Sequence, residues 1–203
     1  NTQRFVDDNT NDIMCMDTWN ELSATGDIGN KPTLVLWNNT TMETYCVYAG
    51  EMRKGIAMVA FSADGQKLAC GCMDSDNTIF ILNVNELKVD KFVNIEFLQS
   101  KFKGPRDMLL DLKWSRDGTL LAAATKSGIY FCETNGTAWK VSRSSGNKID
   151  KCVMTLCYLG NEFLAGVFDG KIYRVRGKDV GQYLDAHKSA VNCMFASSNG
   201  KGF

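Results

Sequence analysis

From Gly55 to Val84 the apolar and polar positions run in short alternations broken by Gly, Asp and Asn, and no helical period outlasts a turn or two. Ile56, Met58 and Ala60 alternate into Phe61-Ser62, and Ala63-Asp64-Gly65 follows as a turn whose glycine takes positive φ without steric cost. Leu68 to Gly71 is a second run, small and apolar. Asp74 to Asn77 turns again, and Thr78 to Leu82 is rich in β-branched and aromatic residues. The stretch therefore reads as three strands and two turns. Met42 to Met52 can be forced onto a helix, but its Tyr, Val, Cys and Thr prefer a strand.

The same order returns along the chain. Leu110 to Cys132 puts Trp114-Ser115-Arg116-Asp117-Gly118 where the first stretch has Phe61-Ser62-Ala63-Asp64-Gly65, an offset of 114 − 61 = 53. Cys152 to Val175 repeats it with Gly160-Asn161 and Asp169-Gly170 as the turns. Ile13 to Asp17, Leu22 to Gly26 and Thr33 to Trp37 form an upstream copy, and Ala190 to Phe195 begins another. Self-similarity at about 40 to 50 residues is the mark of a propeller blade. The expected fold is all-β, a WD40-type β-propeller of four blades (about 5–48, 55–98, 107–140 and 150–184) plus the start of a fifth at 188–203. Four blades and a fragment leave open strand edges where a propeller closes its ring, so the chain is expected to be a piece of a larger propeller and to pair with the rest of it.

Composition narrows the function. At 203 residues and 44% hydrophobic the chain has apolar surface enough for a sizeable core. The 23 basic and 23 acidic residues cancel, which argues against a general nucleic-acid binder. No apolar run approaches the ~18 residues of a membrane-spanning helix. Cys15, Cys46, Cys70, Cys72, Cys132, Cys152, Cys157 and Cys193 sit mostly among apolar neighbours, as reduced thiols of an intracellular protein would.

Catalytic and metal motifs are not built. Cys70-Gly71-Cys72 has no second ligand pair for zinc, and the chain has one histidine, His187. Asp74-Ser75-Asp76-Asn77 opens like a calcium loop, but Ile79 stands where the loop needs Gly and Asn85 where it needs Glu. No serine lies in Gly-x-Ser-x-Gly, and Gly200-Lys201-Gly202 lacks the spacing of a phosphate loop. The sequons at Asn38, Asn39 and Asn135 matter only in a secreted protein. No enzyme activity, cofactor or metal is expected.

Three residues read as structural. Trp37 ends the third strand of the first copy, and Asp169, like Asp27 and Asp76, sits at a turn where a carboxylate bonds its own backbone. His187 precedes the next first strand, the place where a WD repeat carries a loop-fixing histidine, and its partners are expected beyond Phe203. Glu51, Lys103 and Lys148 occupy the comparable loops of the other copies.

Thr33-Leu34-Val35-Leu36-Trp37-Asn38 with Thr41-Met42-Glu43, then Ala60 to Leu68, then Asp76-Asn77-Thr78-Ile79, resemble the first propeller of the echinoderm microtubule-associated protein-like family. Ala24-Thr25-Gly26, Phe168 to Tyr173, Ala186-His187 and Val191 to Phe195 continue the likeness in order, from about Ile13 to Phe195. Leu82-Asn83, Val175-Arg176 and Phe131-Cys132 depart from the Trp-containing strand ends of that family. The resemblance implies a tandem propeller that binds tubulin or the microtubule lattice without catalysis, in the cytoplasm and cytoskeleton, including the ciliary axoneme.

The loops give a separate pointer to an acidic partner. Those joining the last strand of one blade to the first of the next lie on one face of a propeller. Here they carry Arg53, Lys54, Lys101, Lys103, Arg106, Arg143, Lys148, Lys151 and Lys188, together with Glu51, Glu96, Asp107, Asp150 and Asp185. The competing reading is a WD-repeat scaffold for a soluble complex, such as a ubiquitin ligase or a transport assembly, gripping a partner peptide.

Overall fold

The computed structural model describes residues 9, 11–84, 98–146 and 148–197. Asn85, Glu96, Gly200-Lys201-Gly202 and the outermost expected blade boundaries lie outside these residues. The chain divides into two compact units, Asn1–Lys103 and Gly104–Phe203.

In the first unit, β1 (Ile13–Trp19), β2 (Leu22–Asp27), β3 (Leu34–Asn38) and β4 (Thr44–Tyr48) form one sheet in sequence order. A second sheet follows from β5 (Ile56–Phe61), β6 (Lys67–Cys72), β7 (Ile79–Asn83) and β8 (Leu98–Phe102). In the second unit, β9 (Leu109–Trp114), β10 (Leu120–Thr125), β11 (Gly128–Thr134) and β12 (Trp139–Arg143) form a third sheet. The fourth has β14 (Val153–Leu159), β15 (Glu162–Val167), β16 (Lys171–Arg176) and β17 (Asp179–Asp185), with the short β13 (Ser145–Gly146) added parallel to β17. All other neighbours are antiparallel, and the sheets are arranged as propeller blades.

Each blade thus has four strands where the sequence pattern suggested three. The additional strands are β4, β8, β12 and β17. Leu98–Phe102 reads LQSKF and Asp179–Asp185 reads DVGQYLD, and a half-exposed outer strand of this kind lacks the dense apolar alternation that marks its inner neighbours.

One irregularity recurs at the same place in all four blades. The first strand bulges against the second between Ile13 and Cys15, Ile56 and Met58, Leu109 and Asp111, and Val153 and Thr155. Opposite the residue after each bulge stands a small one: Gly26, Gly71, Ala124 or Gly166. Three pairs further along, Phe61 faces Leu68, Trp114 faces Leu121 and Tyr158 faces Phe163, so these positions are counterparts in the ladders.

The small residue is required by packing. A Cβ on Gly26 would lie 2.6 Å from Ile56 Cγ2, and one on Gly166 would lie 2.7 Å from Val191 Cγ1. In the first unit the residue before the bulge of the second blade therefore sits directly on the glycine of the first. Val191 lies on the fourth blade in the same way, and its amide donates to the Val167 carbonyl at 3.2 Å. Ala190 to Phe195, expected to open another strand, lies outside the strands of the described residues. An extended run becomes a strand only against a ladder partner.

Apolar faces close around these contacts. Leu34, Leu36, Cys46 and Tyr48 share a core with Ile56, Leu68, Cys70, Phe80 and Leu82 in the first unit. Ala122, Ala124 and Phe131 share one with Val153, Phe163, Ala165 and Val175 in the second, where the Phe131 and Phe163 rings lie 5.7 Å apart.

Polar ties add to them. Asp17 accepts the Phe61 amide at 2.8 Å. Asp111, half-buried in β9, accepts the Leu156 amide at 2.7 Å and the Thr155 hydroxyl at 3.2 Å. Burial pushes the Asp111 carboxyl above the ordinary carboxylate range, against the pull of its hydrogen bonds and of Lys113.

Turn chemistry repeats as well. The Ser62 and Ser115 hydroxyls each donate to a carboxylate two residues on, Asp64 and Asp117, at 2.6 Å in both. Their oxygens accept the Lys67 and Leu120 amides at 2.9 and 3.0 Å. Gly65 and Gly118 complete the turns at φ 69° and 65°. Asp27 accepts the Thr33 amide at 2.6 Å, and Asp169 accepts the Lys171 amide at 3.4 Å, as expected of turn aspartates. In the second blade that role belongs to Asp74 and not to Asp76. Asp74 accepts the Asp76 and Thr78 amides at 3.1 and 2.9 Å, because it precedes the turn and so faces its amides.

Two outcomes follow from these contacts. Gly26→Ala is expected to cost about 1 to 3 kcal/mol through overpacking against Ile56. Pairing it with Ile56→Ala, which removes the Cγ2 that the added methyl would strike, in a urea-unfolding double-mutant cycle should recover part of that loss, whereas strict additivity would contradict the contact. Asp111→Ala leaves the Leu156 amide unpaired and is expected to cost about 1 to 3 kcal/mol. Because the folded carboxyl is raised, its titration contributes stability in full below the ordinary carboxylate value, and this is lost as pH rises through the folded value. The wild-type advantage over Asp111→Ala should therefore be largest below the ordinary carboxylate value and shrink as pH rises above it, measured by urea unfolding at each pH.

Candidate functional site

At one end of the strands in the first unit the loops enclose an open cleft of about 1040 Å³. Asn30 and Lys31 of the β2–β3 turn line it, with Gly50 to Lys54 between β4 and β5, Asp74 to Asp76 of the β6–β7 turn, and Lys101 of β8. The floor is stitched by backbone bonds across the two blades. Gly29 donates to the Lys54 carbonyl at 3.1 Å, Ile28 bridges Gly55, and Met73 donates to the Gly55 carbonyl at 2.9 Å. Lys54 itself is held at φ 66°, a left-handed conformation that favours glycine and persists only where its surroundings impose it.

The cleft brings together three of the cations expected from the sequence, Arg53, Lys54 and Lys101, but not as a uniformly positive surface. Lys101 is ion-paired with Glu51, whose carboxyl its hydrogen bond and charge hold below the usual range. Lys103 pairs with Asp76 at 3.1 Å. Lys31, Arg53 and Lys54 are exposed and form no ion pair with a described residue. Lys31 escaped the sequence reading because it lies in a strand-to-strand turn within a blade, and only the folded sheets show that such turns share an end with the loops between blades.

In the second unit the expected cations are largely occupied. Lys148 pairs with Asp150 at 3.1 Å and Lys151 with Asp169 at 2.7 Å. Arg143 lies 3.9 Å from Asp150 and donates to the carbonyls of Ser127 at 2.5 Å and Ile149 at 3.3 Å, so its guanidinium ties the loop before β14 to the β10–β11 turn. Arg106 and Lys188 are exposed and form no ion pair with a described residue. Asp107 accepts the Ser127 amide at 2.7 Å.

His187 contributes through its main chain. Its ring is exposed, while its amide donates to the Gly170 carbonyl at 3.0 Å. Gly170 stands at φ 87° with the His187 carbonyl oxygen 2.0 Å from where a Cβ would be, so only glycine lets the chain pass there. Trp37 is half-buried in β3, opposite Ser23 and Thr44.

The thiols packed into the blades are poor nucleophiles. Burial pushes Cys15, Cys46, Cys72 and Cys132 up to about 12 and Cys70 well above its ordinary value. All eight cysteines are free. Among the described residues no group of three or more His, Cys, Asp or Glu is placed to hold a metal ion.

Residues 44–83 match the WD domain, G-beta repeat family, a stretch that runs from β4 through β7. Among solved structures the chain is similar to the β-propeller domain of Cps50 (Swd1) from Myceliophteria thermophila, with a TM-score of 0.73 and 12% identity. The likeness covers 95% of this chain and 62% of that one, so this chain spans less than two thirds of that propeller. The blade architecture and the matched repeat together support the wider WD-repeat class and, with it, a protein-interaction scaffold role.

Proposed function

We propose that this chain is a non-catalytic interaction module whose loop-bearing end docks on an acidic cytoskeletal surface, tubulin or the microtubule lattice, in the cytoplasm and on the ciliary axoneme. The observation that carries the reading is the convergence of Lys31, Arg53 and Lys54 on one cleft with no ion-pair partner among the described residues, above a backbone floor stitched from two blades. Three unneutralised cations on a rigid frame attract an acidic surface at no cost of breaking internal pairs. Exposed charges act through screened solvent, so the attachment is modest in strength and weakens with salt. The resemblance to the echinoderm microtubule-associated protein-like family supplies the identity of the acidic partner.

A second reading is favoured by the remaining cations. Lys101, Lys103, Lys148 and Lys151 already face carboxylates, so much of the loop surface alternates in sign. An alternating surface suits a mixed-charge peptide of a soluble multiprotein complex.

Co-sedimentation with microtubules at rising salt separates the two. The double reversal Arg53→Glu with Lys54→Glu is expected to lower affinity about tenfold or more at low salt. Glu51→Gln with Asp76→Asn frees Lys101 and Lys103 and should raise it. Pelleting that neither variant alters, or no pelleting by the wild type at any salt, would exclude the microtubule reading and leave the scaffold.

A further inference from the structure

The opposite end of the first blade carries a second cavity, of about 410 Å³, lined by Trp19, Asn20, Glu21, Leu22, Asn38 and Tyr45. Trp19 closes β1, Leu22 opens β2, Asn38 closes β3 and Tyr45 lies near the start of β4. The sheet therefore gathers four strand ends at the edge away from the charged cleft. We infer that this cup is a recognition site for an organic cation, the ammonium or guanidinium of a lysine or arginine side chain on a partner protein.

The chemistry of the lining points one way. The Trp19 and Tyr45 rings are half-buried and pack against the core of the unit. The polar atom of each has an internal partner. The Trp19 indole N–H donates to the Ala63 carbonyl at 2.9 Å, and the Tyr45 oxygen accepts from Asn38 Nδ2 at 2.8 Å. Asn38 Oδ1 is occupied in turn by the Thr40 and Thr41 amides at 2.8 and 2.9 Å. Both rings line the cavity, and an aromatic ring's face is negative and attracts cations.

Position is held as firmly as orientation. A Cβ on Gly65 would lie 2.2 Å from the Trp19 ring, so the indole rests on bare backbone and cannot sink further. The rim is pinned because Asn39 donates from its amide to the Glu21 carbonyl at 2.9 Å and from Nδ2 to the Asn20 carbonyl at 3.0 Å. Asn20 holds a left-handed φ of 51° to make that turn. A site already in its bound shape loses little freedom when a ligand enters.

Charge completes the argument. Glu21 is exposed on the rim and forms no ion pair with a described residue, and no lysine or arginine lines the cavity. Two π-faces and one uncompensated carboxylate make a cup of negative potential in a chain of zero net charge. An alkyl chain would find the rings and Leu22 attractive too, but only a cation uses the carboxylate.

The test is an NMR titration of the whole chain, following the Trp19 indole N–H, identified among the four tryptophans by its loss in Trp19→Phe. The probes are Nα-acetyl-lysine methylamide, Nα-acetyl-arginine methylamide and Nα-acetyl-norleucine methylamide. At least one cationic probe should shift the signal to saturation below about 50 mM, with norleucine at least about fivefold weaker. Glu21→Gln, on an exposed side chain, should weaken the cation about 3- to 10-fold while leaving the remaining spectrum unchanged. Tyr45→Phe should retain binding because it keeps the ring. Equal binding of norleucine, unchanged affinity in Glu21→Gln, or no saturable shift with either cation would overturn the assignment. None of these readouts depends on microtubules, so the site stands or falls apart from the docking reading.

Discussion

Stacking of the second blade on the first depends on a side chain being absent. The first strand of each blade bulges at the same register, and the residue facing the far side of each bulge is glycine or alanine. At Gly26 the vacancy is filled by Ile56, and at Gly166 by Val191, each closer than a Cβ would permit. A bulge bends and twists its strand, so one register shift turns the strand toward its neighbour while the small residue supplies the room. The apolar faces then meet at close-packed density, and the polar ties from Asp17 and Asp111 complete the seam.

Rigidity at that seam is what makes the strand ends useful. Bonds through Ile28, Gly29, Lys54, Gly55 and Met73 run directly under the charged cleft of the first unit, so its loops are fixed by the same contact that joins the blades. The cup at the other end draws on it as well, since the Trp19 indole reaches across to Ala63 and rests on Gly65 of the neighbouring blade. Two surfaces of different chemistry are therefore held by one core. One end offers cations interleaved with carboxylates, and the other offers aromatic faces with a lone acid.

Much of the blade pattern was legible from residues alone, for reasons that are local. Ser62-Ala63-Asp64-Gly65 and Ser115-Arg116-Asp117-Gly118 carry their own hydrogen-bond partners within five residues, so the turn is written where it occurs. The second strands β2, β6, β10 and β15 are buried along almost their whole length and read as runs of small and apolar residues. The outer strands were not legible in that way. Val153 to Leu159 reads VMTLCYL, an almost unbroken apolar run, but Trp139–Arg143 reads WKVSR, and its pairing with β11 owes more to ladder bonds than to a hydrophobic pattern. Asp76 was misjudged for a related reason, because which carboxylate caps a turn depends on the direction its side chain takes after the strand ends.

Order along the chain by itself determined the strand-and-turn repeat, the all-β class and the identity of the cations, since each rests on neighbours a few residues apart. Only tertiary structure decided which charges remained available. Lys101 and Glu51 are 50 residues apart and Lys178 and Glu133 are 45 apart, each pair joined along a path the pattern does not show. The same holds for the cup, where Trp19, Asn38 and Tyr45 each look like ordinary strand residues until the sheet register sets them side by side. Charge pairing and cavity shape are properties of distances in space, and spacing in sequence does not encode them.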